Sequence, residues 1–301
     1  MAQAAAPTRV VQDSMIGLQM ADIAAWSPRV TVVLGQNPSI FAGPGTNTYL
    51  IGTGRRPLLL DTGQGVPAYL PLLEKALNSQ SARALQGIVL THGHIDHIGG
   101  VTQVQQRFGP VAVSKMLLPE RDPAQALTAI GEGATITTEG ATLSALWTPG
   151  HARDHLCFYL EEEKALFTGD VVLGAGTTVI GDDGDLGDYL DSLRRLLTLE
   201  LAVIYPAHGP AIHNPREKIE QYIAHRLLRD QQILAGLRAG VHEVPALVKR
   251  MYTDVPEYLH AAAAMSVMAH LRKLEKEGRV RHEHQAWHLS GADAVKPNTQ
   301  Q

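Results

Sequence analysis

Cysteine is nearly absent from this sequence, because Cys157 is the only one in 301 residues. A single cysteine excludes an internal disulfide framework, and it fits a reducing compartment: the cytoplasm or, in a eukaryote, the mitochondrial matrix. Within "HLCFYL", Cys157 is expected to be a small buried apolar side chain rather than a nucleophile.

Long apolar runs are missing as well. No stretch approaches the roughly 18 consecutive apolar residues that span a bilayer, so no membrane association is expected. The N-terminal residues "MAQAAAPTRVVQDSMIG" lack a cationic start followed by an apolar segment, which argues against a secretory signal. The composition, 45% hydrophobic and 19% charged, is that of an ordinary globular protein with a sizeable core.

The charge is unevenly distributed around a net value of −4. Residues 216–290 contain twelve Lys and Arg against nine Asp and Glu, whereas residues 1–215 contain thirteen against twenty. A positive segment can face an anionic partner, although a solvated surface explains so small an excess better.

Residues 1–215 predict a mixed α/β domain. Apolar runs of strand length, such as "RVTVVLG", "GIVLTHG" and "ALFTGD", are punctuated by Gly, Pro, Asn or Asp. Segments with helical spacing, such as "LGDYLDSLRRLLTLE", lie between them. The sequence does not give the order of the strands.

A second module is predicted over residues 216–290. Asn214 and Glu217 form a capping-box pattern at the start of a long helix. Apolar residues four apart predict the buried stripe of this helix: Ile219, Ile223 and Leu227. Three helical segments followed by the alternating "RVRHEHQAWHLS" have the order of a winged-helix module, and residues 291–301 are expected to be a disordered tail.

The stretch "THGHIDHIGG", residues 91–100, follows an apolar run directly. Side chains two apart on an extended segment project to the same side, so His92 and His94 can converge on one point, while Asp96 and His97 face a second. Imidazoles and a carboxylate suit Zn²⁺, with Fe and Ni also acceptable, and the lack of thiolate ligands disfavours a closed structural site. The pattern therefore indicates a catalytic metal centre.

Further ligands are expected at other strand ends. His151 in "TPGHARDHL", Asp170 in "LFTGDVVLG" and His208 in "YPAHGP" each follow an apolar run and stand beside glycine. The remaining histidines, His155 among them, receive no role. The segment 174–185, "GAGTTVIGDDGD", is either a loop over the site or a plain surface loop.

The motifs "THGHIDH", "PGH", "FTGD" and "PAHG", in this order, resemble those of the metallo-β-lactamase fold superfamily. The resemblance implies an αββα sandwich with two metal ions at one edge, expected to be two Zn²⁺ per chain, or Fe or Mn in their place. It implies a first site of His92, His94 and His151, a second site of Asp96, His97 and His208, and Asp170 as the bridge. Asp61 matches an aspartate that orients the histidines from beneath, although a structural cap explains it equally well.

The segments "GTNTYLIGTG", "DHLCFYLEEEKALFTGD" and "HRLLRDQQIL" look like those of the β-lactamase-like protein 2 group. That group includes a metal-dependent endonuclease acting on single-stranded RNA, and its relatives include carrier-protein thioesterases of polyketide pathways. Asp170 stands where secreted zinc β-lactamases tend to have cysteine, so antibiotic hydrolysis is expected to be a side activity at most.

Three functions remain open at the sequence level. The leading prediction, by a small margin, is an endoribonuclease, supported by basic residues of the C-terminal module: Arg272, Lys273, Lys276, Arg279 and Arg281. The acidic catalytic domain weakens it, since RNA binding relies on cationic contacts. The alternative is a thioester hydrolase, and the third is a nucleic-acid-binding regulator with a vestigial metal domain. Asp96 is primarily a ligand that could also carry a proton to the leaving group. The oligomeric state stays open, with a homodimer compatible with the alanines at 261–264.

Overall fold

The computed structural model describes residues 15, 17–122, 127–253 and 255–294. Two β-sheets pack face to face, and helices cover the outer face of each, which confirms the predicted αββα sandwich. No helix in the described ranges combines the length and apolarity that crossing a membrane requires.

The first sheet follows the chain, so each strand pairs with the next. Its seven strands are β1 Ile23–Ala25, β2 Val30–Leu34, β3 Asn47–Ile51, β4 Leu58–Leu60, β5 Gly87–Val89, β6 Val113–Lys115 and β7 Thr128–Ala129. Strands β1 to β4 pair antiparallel, and β4 to β7 pair parallel. The outer helices of this sheet are α1 Tyr69–Ser79 and α3 Val101–Phe108, and the short α2 Ile95–Ile98 precedes α3.

The second sheet has the order β12-β11-β10-β9-β8. Its strands are β8 Thr135–Thr138, β9 Ala141–Trp147, β10 Leu156–Leu160, β11 Ala165–Gly169 and β12 Val203–Pro206. All pairs are antiparallel except β11 with β12. Helix α4 Leu186–Leu196 covers its outer face together with the start of α5 Pro215–Arg238.

The core lies between the sheets, where Tyr49 of β3 meets Phe167 of β11 with ring centroids 5.0 Å apart. A second apolar layer lies under the helices, with Leu73 of α1 and Val104 of α3 packed on the first sheet. Strand β2 is buried along its whole length because both faces of its sheet are covered. The run "VTVVL" at residues 30–34, apolar except for Thr31, is the sequence counterpart of this double burial.

The C-terminal module contains the second half of α5, α6 Val244–Met251, α7 His260–Lys276 and the strand pair β13 Val280–Glu283 and β14 Ala286–Leu289. This is the winged-helix arrangement that the order of elements predicts. Of the predicted tail, Gly291–Ala294 form a 3₁₀ turn, and residues 295–301 lie outside the described residues. The division of the chain at residue 215 stays a prediction.

Helix α5 begins at the predicted residue but differs in two details. The side chain of Asn214 makes no capping hydrogen bond. The predicted stripe is wrong at Leu227, which is 40% exposed, whereas Tyr222, Arg226 and Asp230 are buried at the same four-residue spacing. A pattern of apolar residues could not reveal this face, because two of its members are charged.

Candidate metal centre

The predicted ligands stand where strands end at one edge of the sandwich. Strand β5 ends just before the histidine turn 91–97, β11 ends just before Asp170, and β12 ends two residues before His208. Because β4 and β5 run parallel, as do β11 and β12, their carboxyl ends deliver side chains to a common edge. His151 reaches the same place from the connection between β9 and β10.

Three imidazoles form the first cluster. His94 Nδ1 lies 2.9 Å from His92 Nε2 and 2.9 Å from His151 Nε2. His92 and His151 are buried, and the side chain of His94 is one-third exposed. Three converging ring nitrogens, with one side left open, are the ligand arrangement of catalytic zinc sites.

The second cluster joins two further imidazoles with a carboxylate. Asp96 Oδ2 lies 3.3 Å from His208 Nε2 and 3.5 Å from His97 Nε2. Both rings are buried, whereas the side chain of Asp96 is one-quarter exposed. The open direction of this cluster is therefore the aspartate side.

Asp170 stands between the two clusters. Its Oδ1 lies 3.2 Å from His208 Nε2 and 3.5 Å from His97 Nε2, and its Oδ2 lies 3.5 Å from His151 Nε2. One carboxylate oxygen thus faces each cluster, which is the geometry that a bridging ligand needs. The structure brings together all seven residues predicted as ligands.

Asp61 supports the second cluster from beneath. Its Oδ2 accepts a hydrogen bond from His97 Nδ1 at 2.8 Å and from Thr91 Oγ1 at 2.9 Å, and its Oδ1 accepts from the Thr91 amide at 2.8 Å. A proton held on His97 Nδ1 leaves the Nε2 lone pair free for a ligand role. These contacts fit both interpretations of Asp61, because it orients His97 and also holds the turn 91–97 by its hydrogen bonds to Thr91.

Two other imidazoles are oriented in the same way. His151 Nδ1 lies 2.8 Å from the carbonyl oxygen of Val179, and His94 Nε2 lies 3.2 Å from Asp183 Oδ2. Asp183 also accepts a hydrogen bond from Arg121 Nη1 at 3.1 Å. In each histidine, a proton on the nitrogen that faces this acceptor leaves the lone pair of the other nitrogen directed at the cluster.

His155, which received no role from its sequence context, lies behind the carboxylate of Asp170. Its Nε2 accepts a hydrogen bond from the Asp170 amide at 3.1 Å, and its Nδ1 lies 2.9 Å from Thr148 Oγ1. Gly169 makes this approach feasible, since a Cβ at that position would lie 2.4 Å from His155 Nε2. His155 therefore fixes the backbone position of Asp170.

The electrostatics of the site are dominated by its buried carboxylates. Burial lowers the pKa of His208, but Asp170 and Asp96 together outweigh burial and raise the pKa to about 9. Burial also lowers the pKa of His97, but Asp170 and Asp96 raise this pKa well above its ordinary value. Burial lowers the pKa of His92 well below its ordinary value, and His97 adds to this. The second cluster therefore attracts positive charge, and a bound cation would displace these protons.

Two buried atoms of the site make no hydrogen bond: His97 Nε2 and Asp170 Oδ1. Buried polar atoms are nearly always paired, so this pair indicates a partner that is not a protein atom. An imidazole nitrogen and a carboxylate oxygen are both ligands of Zn²⁺ and Fe. The donor set fits metal binding.

The comparisons with known proteins agree with this geometry. Residues 42–208 match the family described as "Metallo-beta-lactamase superfamily". The chain belongs to the metallo-β-lactamase superfamily. Residues 244–287 match the "Beta-lactamase associated winged helix domain", which confirms the predicted C-terminal module of this superfamily member.

This metallo-β-lactamase superfamily hydrolase is 38% identical over 264 residues to a "Beta-lactamase-like protein 2 homolog" from Caenorhabditis elegans, covering 86% of this chain and 88% of the relative. It is 42% identical over 219 residues to an "Atrochrysone carboxyl ACP thioesterase" from Emericella nidulans, covering 73% and 68% of the two chains. A solved metallo-beta-lactamase family protein from Thermus thermophilus shares 25% identity with a TM-score of 0.74, covering 88% of this chain and 100% of that one. The predicted resemblance is confirmed.

A cavity of about 690 Å³ opens directly over both clusters of this superfamily site. Segment 174–185 forms part of its wall, so of the two predicted alternatives it is the loop over the site. Apolar side chains line much of the remainder, and apart from the histidines the ionisable side chains among the lining residues are all aspartates. Cys157 lies elsewhere, fully buried, and burial raises the pKa of its thiol to about 12, which excludes the nucleophile role as predicted.

Proposed function

We propose that this protein hydrolyses thioesters of apolar acyl groups with the help of two bound divalent cations. The observation that carries the proposal is the character of the cavity over the ligands. None of the described residues that line it is Lys or Arg, whereas apolar side chains such as Phe41, Leu173 and Leu259 are prominent. An uncharged acyl group suits such a wall, and its volume lies within the range of small-molecule sites.

The names of the relatives support the same substrate class. One relative is named a carrier-protein thioesterase at 42% identity, and a second protein of the same name, from Paecilomyces divaricatus, is 40% identical. The β-lactamase-like protein 2 homolog covers as much of the chain but its name states no substrate. We therefore favour thioester hydrolysis, which was the alternative in the sequence analysis, over endoribonuclease activity.

The proposed ligands divide by position. His92, His94 and His151 would hold one cation, Asp96, His97 and His208 the other, and Asp170 would contact both. Two such cations, when bound, supply a hydroxide at neutral pH and stabilise negative charge on the substrate oxygen. Zinc is the metal that these donors suit best, with Fe or Mn as substitutes.

Asp96 is the proposed proton carrier. It lines the cavity, and His97 together with His208 outweighs burial and lowers the pKa of its carboxyl, so it is ionised at neutral pH. In hydrolysis a C–O bond forms at the acyl carbon and the C–S bond breaks. Asp96 would accept one proton of the attacking water and pass it to the sulfur, giving a free thiol and a carboxylic acid, which then releases its own proton to solvent.

The nuclease prediction gains no support from the cavity. The phosphate backbone is bound mainly by Lys and Arg, and the cations near the mouth are engaged: Arg121 pairs with Asp183 and Arg272 with Asp182. The endoribonuclease activity and the homodimer stay predictions that nothing here tests.

The proposal is tested by incubating the zinc-loaded protein with an aryl thioester and, separately, with labelled single-stranded RNA. We expect release of the thiol, and we expect Asp96→Ala and His97→Ala to abolish it. Asp191→Asn, an exposed aspartate on α4, is the matched control and should retain activity. Cleavage of RNA with no thiol release, lost in the same two variants, would overturn the proposal in favour of the nuclease.

A further inference from the structure

Large apolar side chains are exposed at the mouth of the cavity. Eight large hydrophobic residues of the described chain are exposed, and three of them line this one cavity: Ile40 at 55%, Phe41 at 51% and Met265 at 45%. A contiguous cluster of exposed apolar side chains usually marks a binding surface, whereas single exposed apolar residues are scattered over the surfaces of most proteins. The cluster is continuous with the metal centre, because the same cavity is lined by His94 and Asp170.

The apolar residues come from two different parts of the chain. Ile40 and Phe41 belong to the connection between β2 and β3 in the catalytic domain. Val255, Leu259 and Met265 belong to the segment before α7 and to α7 itself, in the C-terminal module. We call the first set the catalytic wall and the second the C-terminal wall.

The C-terminal wall is held in a defined position over the site. Arg272 of α7 donates a hydrogen bond to Asp182 at 2.9 Å, and Lys276 pairs with Asp185, so α7 is tied to the loop that lines the cavity. Helix α5 is tied to the same loop, since Tyr222 Oη donates to the Gly176 carbonyl at 2.9 Å. These contacts attach both α7 and α5 to the loop that lines the cavity.

Helix α5 contributes a buried cation to this attachment. Arg226 donates to the carbonyl oxygen of Thr178, and its guanidinium lies 5.4 Å from the ring centroid of Tyr189. Thr178 in turn donates to the carbonyl oxygen of Asp170 at 2.7 Å. Helix α5, whose second half belongs to the C-terminal module, is therefore connected through two hydrogen bonds to Asp170, which stands between the clusters.

We propose that the two walls together bind the acyl part of the substrate, so that the C-terminal module selects bulky apolar acyl groups over small ones. The inference rests on the proposed thioester hydrolysis. A carbonyl placed over the ligands points the rest of the acyl group into the cavity, and an acetyl group fills only a small part of about 690 Å³. A large aryl or long alkyl group can contact both walls and remove their apolar surface from water.

The test compares two thioesters of the same thiol, N-acetylcysteamine, one carrying an acetyl group and the other a naphthoyl group. We expect the wild type to prefer the naphthoyl substrate in kcat/KM. Phe41→Ala and Met265→Ala should each lower kcat/KM for the naphthoyl substrate about tenfold and leave that for the acetyl substrate within about twofold. Both side chains are half exposed, so their removal should leave the fold intact.

Leu228→Ala is the matched control, because Leu228 is 50% exposed on α5 and does not line the cavity. It should change neither substrate. Equal losses on both thioesters, or no loss in Met265→Ala, would overturn the role of the walls while leaving the hydrolase proposal standing. A wild type that cleaves neither thioester would overturn the proposed function and this inference with it.

Discussion

Replacing Asp61 by asparagine removes the charge beneath the second cluster while keeping the shape of the side chain. Asp61 has a backbone φ of 59°, which asparagine tolerates better than most residues, so the turn should persist. The amide has a single acceptor oxygen, which can satisfy the Thr91 amide. Its NH₂ group then faces His97 Nδ1, which must keep its proton if Nε2 is to bind a metal.

The size of the effect follows from the lost hydrogen bond. Hydrogen bonds to charged groups contribute about 1.5–3 kcal/mol, and 1.4 kcal/mol corresponds to a factor of ten. Partners that orient metal-binding histidines generally affect metal affinity by about 10- to 100-fold, which is the same range. We therefore expect Asp61→Asn to weaken binding of the second equivalent of Zn²⁺ by about 10- to 100-fold.

The assay is competition for Zn²⁺ with a chromophoric chelator, with thermal melting in parallel. Asp230→Asn is the matched control, because Asp230 is also buried and accepts from His270 Nδ1 at 2.7 Å, but belongs to α5. The control should lower the melting temperature and leave metal affinity unchanged. If Asp61→Asn binds both equivalents as the wild type does, or if Asp230→Asn weakens them equally, the argument for His97 orientation is refuted.

Three further predictions address other parts of the molecule. Asp170→Asn should reduce bound metal from two equivalents towards one in elemental analysis, and two retained equivalents would contradict a bridging role. Burial, with Arg226 and Arg229 nearby, lowers the pKa of His225 to about 3. The unfolded chain therefore takes up the proton first, and the free energy of unfolding should fall as pH falls from about 6.5 towards 5, by at most about 1.4 kcal/mol per unit. Urea titrations should show a flatter dependence in His225→Gln, and identical slopes would refute this. Truncation at residue 215 should cost solubility or activity, since Arg226 and its neighbours hold the site loop; a soluble, fully active fragment would contradict it.

The cluster of candidate ligands could be predicted from the sequence because its residues stand in short motifs directly after apolar runs. His92 and Asp170 each follow a strand, and a strand end fixes where a side chain appears. Apolar runs also predict the positions of most strands, including β2, β5 and β11. The strands that the apolar pattern missed in the catalytic domain are short or polar, such as β8 with the sequence "TITT".

The residues that position the candidate ligands could not be predicted from the sequence, for a physical reason. His155 and Asp183 act through single contacts with residues 15 and 89 positions away, and no local spacing encodes such a partner. Arg226 breaks the apolar pattern of α5, although it is buried, because its charge is met by a carbonyl oxygen and an aromatic ring of another element. Polar residues whose partners are distant in sequence become visible only in the folded chain.

In the proposed function, the distribution of charge would separate catalysis from the selection of the acyl group. The cavity brings Asp96, Asp170, Asp182 and Asp183 together with no Lys or Arg among its described lining residues, so no Lys or Arg side chain is available there to pair with an anionic substrate. Positive charge at the proposed ligands would then act only at the reacting centre, and it would act equally on any acyl carbonyl placed there. A phosphodiester chain needs cationic contacts along its length, which this wall does not supply. If the proposed function holds, discrimination among acyl groups is left to Phe41, Met265 and their neighbours, and a change in these apolar side chains should alter preference and not chemistry.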